Sequence, residues 1–166
     1  MSIEKARTHL ARWGRDKDIT EHDQSSATVE LAALALGVEE SRIAKTLSFL
    51  NGERTILLVA AGDARVDSGS FKRQFGLKKA RMVPGDEVAV RTGHEPGGVC
   101  PFGTAEGADV WLDESLRRFT TVFPACGSSN SSIELTPGEL EEYSCARGWV
   151  DVCKGWRDGE APAAAE

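Results

Sequence analysis

The residue in this sequence that most clearly suggests a chemical role is a lysine inside an apolar, strand-like stretch. Side chains alternate between the two faces of a strand. Over residues 43–49, one face would carry Ile43, Lys45, Leu47 and Phe49, and the other Ala44, Thr46 and Ser48. Burial disfavours a charged ammonium unless an anion accompanies it. Lys45 therefore either reaches water at a sheet edge or is kept inside to meet an anionic ligand.

Two loops rich in small residues are the other candidates. The first contains GGVCPFG at residues 97–103, and the second is CGSSNSS at residues 126–132. Glycines let a backbone approach a ligand closely and turn successive N–H groups toward a carbonyl oxygen, an oxyanion or a phosphate. Small hydroxyl and amide side chains either wrap a polar ligand or close a turn on their own backbone. Both interpretations stay open for each loop.

A cysteine nucleophile is a further possibility, with Cys100 as the thiol and His94, earlier in the same segment, as its base. Against it, cysteines usually behave as small buried hydrophobic residues, and a thiolate nucleophile needs a lowered pKa that nothing in the sequence indicates. The sequence contains no serine-hydrolase elbow, Walker loop or nucleotide-binding glycine fingerprint.

Metal, cofactor and membrane binding are not indicated. The cysteines and histidines are scattered rather than spaced as metal ligands, at Cys100, Cys126, Cys145, Cys153, His9, His22 and His94. We therefore expect no structural metal and no cofactor. No run approaches the ~20 apolar residues of a membrane helix, and the N-terminus is charged where a signal peptide turns apolar. These features predict a cytoplasmic protein.

The chain is acidic overall but basic in one segment. Its formal net charge of −6 argues against a sequence-independent coat for nucleic acid, which needs a positive surface. Residues 68–81 contain no acid, and their basic residues are Lys72, Arg73, Lys78, Lys79 and Arg81. This segment is either a patch that faces phosphates or a solvated helix face.

Periodicity and capping signals predict the elements that would hold these residues. Helices are expected over residues 3–14, 28–36 with Ser25 and Ser26 as caps, 68–75, 84–92 and 136–145. Extended segments are expected over residues 19–22, 43–50, 55–61, 79–83, 109–112, 120–124, 133–135 and 149–153. Asn51-Gly52 predicts a type I′ hairpin turn, and the strand over residues 55–61 is apolar on both faces, as in a central strand.

Hairpins and helices without regular βαβ alternation indicate an α+β fold with a mixed, curled sheet. The length of 166 residues favours one domain, assigned to residues 1–156. Residues 157–166, which end in APAAAE, are expected to form a flexible tail.

Three blocks of the sequence together resemble the YbaK/prolyl-tRNA-editing family of free-standing aminoacyl-tRNA deacylases, related to the editing domain inserted in many bacterial prolyl-tRNA synthetases. The blocks are SSATVELAALALGVEESRIAKTLSF at 25–49, GHEPGGVCPFG at 93–103 and CGSSNSSIELTPGEL at 126–140. The resemblance covers most of residues 20–150 in family order. It implies a barrel-like mixed sheet with flanking helices and hydrolysis of the ester that joins a wrong amino acid to tRNA.

The resemblance also implies roles for individual residues. The family's catalytic lysine falls on Lys45. The substrate-binding positions fall on Thr46, Gly97, Gly98, Val99, Cys100, Pro101, Gly127 and Ser128. Ala27, Thr46 and Ser128 are expected to form a pocket that selects small amino acids. Cys100 stands where many members have serine, and GSSNSS lacks the basic glycine–arginine pattern of the cysteinyl-tRNA-specific branch.

The expected substrate is therefore a mischarged tRNA, with tRNA-Pro carrying alanine, serine or cysteine as the favoured case and prolyl-tRNA synthetase as a candidate partner. The basic residues of segment 68–81 would contact the tRNA backbone. Since no carboxylate or histidine stands out as a general base, a loop-held water or the substrate's own hydroxyl groups would serve. The alternatives are a noncatalytic module of the same fold that binds aminoacyl-tRNA or a nucleotide, and a thiol hydrolase using Cys100.

Overall fold

The computed structural model describes residues 2–157 of the chain. Its helices are α1 Ser2–Ala11, α2 Val29–Leu36, α3 Ser68–Phe75, α4 Val88–Thr92 and α5 Pro137–Ser144. Its strands are β1 Thr20–Glu21, β2 Ile43–Asn51, β3 Arg54–Ala61, β4 Arg65–Val66, β5 Ala108–Asp113, β6 Phe123–Pro124, β7 Ser131–Ser132, β8 Gly148–Val150 and β9 Cys153–Lys154. Of the predicted tail, residues 158–166 lie outside the described part.

Five strands form a curled, mixed half-barrel sheet in the order β6-β2-β3-β5-β8. The pair β2–β3 is antiparallel, and the other neighbours are parallel. Strand β3 lies at the centre and is buried from Thr55 to Ala61, as its two apolar faces predict. Small two-stranded sheets, β1–β7 and β4–β9, flank it. The predicted α+β class with a barrel-like mixed sheet is confirmed.

The hairpin between β2 and β3 forms as predicted, but its turn is displaced by one residue. Asn51 pairs with Arg54, so the loop is Gly52-Glu53. Gly52 has φ 63°, whereas Cys145 is the only non-glycine residue with positive φ in residues 2–157. Positive φ at the first loop residue alone is the pattern of a type II′ turn. The ladder therefore gains the Asn51–Arg54 pair, and glycine takes the one position that needs its backbone freedom.

The helix caps are partly as predicted. In α5, Thr136 Oγ1 accepts a hydrogen bond from the Glu139 amide at 3.0 Å, and Glu139 Oε1 accepts one from the Thr136 amide at 2.9 Å, which completes the expected capping box. The cap of α2 is Thr28, which accepts from the Leu31 amide at 3.1 Å, and not the predicted Ser25 or Ser26. A cap must lie directly before the first helical turn, and the two serines lie too early in the chain.

Several predicted extended segments are shorter or divided. Residues 79–83 form only an isolated bridge to β2, through Met82 and Phe49. Strand β6 keeps two of the five residues predicted over 120–124, and β7 lies just before the predicted segment 133–135. The segment predicted over 149–153 is divided between β8 and β9 because the buried Asp113 carboxylate accepts the Val152 amide at 2.9 Å, where the chain turns.

A glycine just after β3 brings the backbone of the chain close to the residues that precede β2. A Cβ atom on Gly62 would lie 2.0 Å from the Glu40 carbonyl oxygen and 2.8 Å from Val29 Cγ1. We expect Gly62→Ala to lower the free energy of unfolding by about 2 kcal/mol or more, because a backbone atom cannot yield as a flexible side chain does.

Urea unfolding of Gly62→Ala and Gly85→Ala would test this expectation. Gly85 has no heavy atom within 4 Å of the added Cβ, so its alanine variant should unfold at the wild-type midpoint or slightly above it. Equal midpoints for the two variants would contradict the close contact at Gly62.

Candidate functional site

The outer edge of β2 is paired at both ends and open between them. At one end β6 pairs with Ile43 and Ala44. At the other end the Leu50 amide donates to the Arg81 carbonyl at 2.8 Å, and the Val83 amide donates to the Ser48 carbonyl at 3.0 Å. Residues 45–47 have no paired strand on this side within the described chain. Because Ser48 and Leu50 direct their backbone groups outward, alternation also directs those of Thr46 outward.

Prolines bound this open stretch on both sides. Pro124 ends β6, and Ala125 bridges to Ser132 instead of continuing along β2. Pro84 follows Val83 directly, after which the chain turns into the short helix over residues 85–87. A proline has no amide N–H to donate to a ladder, so neither neighbouring segment extends along β2.

A cleft of about 330 Å³ lies along the open stretch. Its wall includes the strand residues Lys45, Thr46, Leu47 and Ser48, together with Ala27, Val29, Ala32, Met82, Val88, Gly97, Val99, Ala125, Ser131 and Ser132. Thr46 Oγ1 is buried and has no hydrogen-bond partner within residues 2–157. The cleft therefore offers an uncommitted hydroxyl beside the outward-facing backbone of the same residue.

Lys45 borders the cleft, but its ammonium lies at the end of the sheet. It donates a hydrogen bond to the backbone carbonyl of Ala64, just beyond β3. Its charge also acts on the thiol of Cys153, whose pKa is nevertheless raised, chiefly by burial. Lys45 is thus neither a fully exposed edge residue nor buried within the sheet.

The two loops rich in small residues, the glycine-rich loops 97–103 and 126–132, touch each other at Gly98, which has no side chain to prevent the contact. A Cβ atom there would lie 2.9 Å from the carbonyl carbon of Gly127 and 2.9 Å from Ser128 Cα. Gly97 faces the cleft at β2, whereas Gly98, Gly127 and Ser128 line an adjoining cleft of about 460 Å³ together with Lys5. Pro96 lines both clefts, so the two loops meet where the clefts adjoin.

The residues predicted to bind substrate are consequently divided. Thr46, Gly97 and Val99 lie together on the first cleft, with Lys45 and Ala27. Gly98, Gly127 and Ser128 lie on the second. Of the pocket expected from Ala27, Thr46 and Ser128, the first two lie on the first cleft, whereas Ser128 lies on the second and donates to Ser131 of the first cleft's wall at 2.6 Å.

Cys100 and Pro101 are buried and lie on neither of these two clefts. Burial raises the pKa of the Cys100 thiol to about 12, and Sγ donates to the Phe102 carbonyl at 3.4 Å. His94 is also buried, which lowers its pKa, and its Nε2 lies 2.7 Å from the same carbonyl. Cys100 Sγ lies 3.4 Å from His94 Nε2, but an imidazole N–H that donates to a carbonyl and a thiol with a raised pKa are not an activated nucleophile–base pair.

The basic segment leads to the rim of the first cleft. Arg73, Lys78, Lys79 and Arg81 are exposed and Lys72 is half-buried. Arg81 is held beside Leu50, and the next residue, Met82, forms part of the cleft wall. A polyanion bound along this segment would therefore reach the open stretch of β2.

The described wall of the first cleft contains no carboxylate and no imidazole, and Lys45 is its only ionisable side chain. Residues 2–157 contain no group of three or more histidine, cysteine or acidic side chains that could hold a metal ion. No helix in that range is long and apolar enough to cross a membrane. Chemistry in the cleft would therefore rest on hydroxyls, backbone groups and one ammonium.

Ser48, Met82 and Ser132 are among the wall residues to which sequence reasoning gave no role in the site. For Ser48 the signal was present, since alternation already placed it on the face of Thr46. Met82 and Ser132 reach the wall through pairings that are distant in sequence, Phe49–Met82 and Thr20–Ser132. No local pattern announces such pairings.

Comparison with known proteins gives consistent matches. The sequence profile of the aminoacyl-tRNA editing domain matches residues 23–143. The uncharacterized protein YwhH of Bacillus subtilis (strain 168) is 57% identical over 157 residues, which are 94% of this chain and 99% of YwhH. The proline–tRNA ligase of Bacillus velezensis is 27% identical over 125 residues, which are 75% of this chain but only 22% of the ligase.

Solved structures match over most of the chain. A proposed trans-editing enzyme for prolyl-tRNA synthetase has a TM-score of 0.83 at 30% identity, covering 93% of this chain and 98% of the other. The hypothetical protein APE2540 has a TM-score of 0.76 at 30% identity, covering 88% and 99%.

The cysteines differ in burial, which yields a test of the thiol assignment. Cys145 is exposed, whereas Cys100, Cys126 and Cys153 are buried. We expect iodoacetamide at pH 8 to modify Cys145 in the native protein and to leave the other three unmodified, because a raised pKa and burial both suppress the thiolate. Peptide mass spectrometry would locate the adducts.

The same experiment in urea supplies the control, since all four thiols should then react. Modification of native Cys100 at the rate of Cys145 would contradict the buried, protonated thiol. The raised pKa of Cys100 also makes stability depend on pH, because burial favours the protonated thiol in the folded protein. The resulting contribution to the free energy of unfolding is complete below about pH 9 and is lost as the pH rises toward 12.

Proposed function

This chain belongs to the aminoacyl-tRNA editing domain family, and on that basis we propose that it is a trans-editing deacylase that hydrolyses the ester of a mischarged tRNA. Water adds to the ester carbonyl carbon, the bond to the ribose oxygen breaks, and the proton released by water goes to that oxygen. The products are the free amino acid and uncharged tRNA. The favoured substrate is tRNA-Pro carrying alanine, serine or cysteine.

The observation that carries this proposal is the cleft at the open stretch of β2. It joins the uncommitted Thr46 hydroxyl, the outward backbone of the same residue and the Gly97 turn in about 330 Å³. Fixed backbone and hydroxyl donors of this kind stabilise the oxyanion that forms at an ester carbonyl, and each contributes on the order of 10²–10³ in rate. The ester would lie against Thr46, with its carbonyl oxygen toward the glycine turn.

Lys45 supplies the positive charge in this proposal. Substrate binding draws its ammonium from the Ala64 carbonyl toward the terminal phosphate or the developing oxyanion. A charged donor forms stronger hydrogen bonds with an anion than with a neutral carbonyl, which favours the exchange. Lys45 is therefore the residue whose removal should affect the chemical step most.

Selection in this cleft would depend on size. Ala27, Ala32 and Val99 line the same cleft as Thr46, and a volume of about 330 Å³ would favour small side chains over proline. A single methylene changes discrimination by only ~1–3 kcal/mol, so closely related small esters would share the site. The similarity to proline–tRNA ligase makes tRNA-Pro the proposed carrier and that synthetase a candidate partner.

The proposal is tested by deacylation time courses with tRNAs charged with alanine, serine, cysteine, threonine or proline. We expect the wild type to remove one or two of the small esters and to spare prolyl-tRNA. Lys45→Ala should lower the rate constant by about 10²–10³-fold with an unchanged far-ultraviolet spectrum and melting temperature.

Lys17→Ala is the matched control, because Lys17 is exposed in the turn over residues 16–18 and absent from the cleft wall. It should keep wild-type rates. Wild-type activity in Lys45→Ala would remove the lysine from the mechanism. Retention of charged tRNA without turnover of any ester would instead favour the noncatalytic binding module.

Binding of the tRNA backbone by the basic segment gives a second test. Neutralising both Lys78 and Lys79 to alanine should weaken binding and reduce the slope of log affinity against log salt by about one for each phosphate that is no longer neutralised. Filter binding between 50 and 200 mM salt, about a fourfold range, would measure the slope. The Lys17→Ala slope should equal that of the wild type, and an unchanged slope in the double variant would exclude these lysines.

A further inference from the structure

Hydrolysis in the first cleft needs a group that accepts the proton of the attacking water. The described cleft wall contains neither a carboxylate nor an imidazole. The thiol of Cys100 keeps its proton, and His94 is committed to the Phe102 carbonyl. A base that the protein itself supplies, rather than the substrate's own hydroxyl groups, would therefore act from behind a residue of the wall.

His22 is the only one of the three histidines that is hydrogen-bonded to a residue of the cleft wall within the described chain. Its Nε2 lies 3.1 Å from Ser132 Oγ. Ser132 lines the cleft and is 4% exposed. His9 and His94 instead contact Tyr143, Arg12, Cys100 and Phe102, none of which lines this cleft.

Both members of this pair are held by backbone contacts. The His22 amide donates to the Asn130 carbonyl at 2.7 Å, and Asn130 Nδ2 donates to the His22 carbonyl at 2.9 Å. Ser132 pairs with Thr20 on one side and bridges to Ala125 on the other. The backbones of both residues are therefore held in place by the small sheet β1–β7 and the second glycine-rich loop.

The other hydroxyls of the cleft wall are less suited to proton transfer. Ser26 donates to a carbonyl, Thr28 caps α2, and Ser131 accepts from Ser128, while Ser48 lines the wall without a bond to a histidine within the described chain. Thr46 Oγ1 has no partner within the described chain, so no base lies behind it. Among the described residues, Ser132 is the one wall residue whose hydroxyl is hydrogen-bonded to an imidazole.

We propose that Ser132 and His22 form the proton-accepting pair of the deacylation, an inference that rests on the function proposed above. Ser132 is the catalytic residue that touches the attacking water, and His22 is a positioning residue that acts through it. With the ring proton on Nδ1, His22 Nε2 accepts the hydroxyl proton of Ser132 as Ser132 accepts a proton from water.

The step is balanced without any other reactant. The water oxygen forms a bond to the ester carbonyl carbon, and the imidazole becomes protonated. When the tetrahedral intermediate collapses, the bond to the ribose oxygen breaks and the proton returns through Ser132 to that oxygen. General acid–base catalysis of this kind contributes about 10²–10⁴-fold in rate.

Steady-state deacylation kinetics of Ser132→Ala, His22→Gln and the double variant would test the pair, with the ester that the wild type hydrolyses fastest. The glutamine amide can donate a hydrogen bond to Ser132 and so preserve the local structure, but it cannot accept a proton at neutral pH. We expect each single variant to lose about 10²-fold in kcat with little change in KM.

The double variant should be no slower than either single variant, because residues that act as a unit are not additive. Imidazole added to His22→Gly should restore part of the rate. His9→Gln, the same substitution in α1 outside the first cleft, should keep the wild-type kcat.

Wild-type kcat in His22→Gln would reduce the contact to a structural one and overturn the inference, even if Lys45→Ala were inactive. Additive losses in the double variant, or a covalent aminoacyl adduct on Ser132 in intact-mass spectra, would overturn it as well. Absence of turnover by the wild type on every ester would instead overturn the proposed function.

Discussion

The candidate site depends on a sheet edge that is left unpaired over residues 45–47. Unpaired edges usually invite association with another chain, and proteins protect them. In this fold the open stretch is short and recessed, because β6 pairs with β2 on one side and the segment around Met82 pairs on the other. Pro124 and Pro84 keep both neighbours from continuing along β2. Because neither proline has an amide N–H to donate, the edge of β2 stays open between them, and its backbone groups can contact a ligand in the cleft.

The loops around this edge are held by groups that look inert in isolation. Cys100 lies inside the first glycine-rich loop and Cys126 begins the second. Both are fully buried, and burial raises the pKa of both thiols. As neutral, compact hydrophobic groups they fix the loops to the core. The loops can then approach each other at Gly98, where a side chain would collide with Gly127. The buried thiols therefore hold the loops against the core, and the glycines let the loops come into contact because they have no side chains.

The polar side chains of the cleft wall differ in whether they have a hydrogen-bond partner within the fold. Most wall hydroxyls have a partner within the fold, which fixes their positions, and Thr46 retains an uncommitted one. A buried hydroxyl without a partner costs stability, and such costs concentrate where a ligand supplies the missing bond. Lys45, bonded to a neutral carbonyl at the end of the sheet, is the only ionisable side chain of the described cleft wall.

The sequence alone determined the class of fold, the central strand β3, the hairpin, the α5 capping box and the family, because these follow from local periodicity and from motifs in fixed order. It also placed Thr46 and Ser48 on one face, since alternation is local. Only the tertiary structure decided that Ser128 lies on the second cleft, that Cys100 is buried, and that His22 meets Ser132. These facts depend on contacts between segments that lie far apart in the chain. The residue types of two such segments do not by themselves specify that the segments will meet.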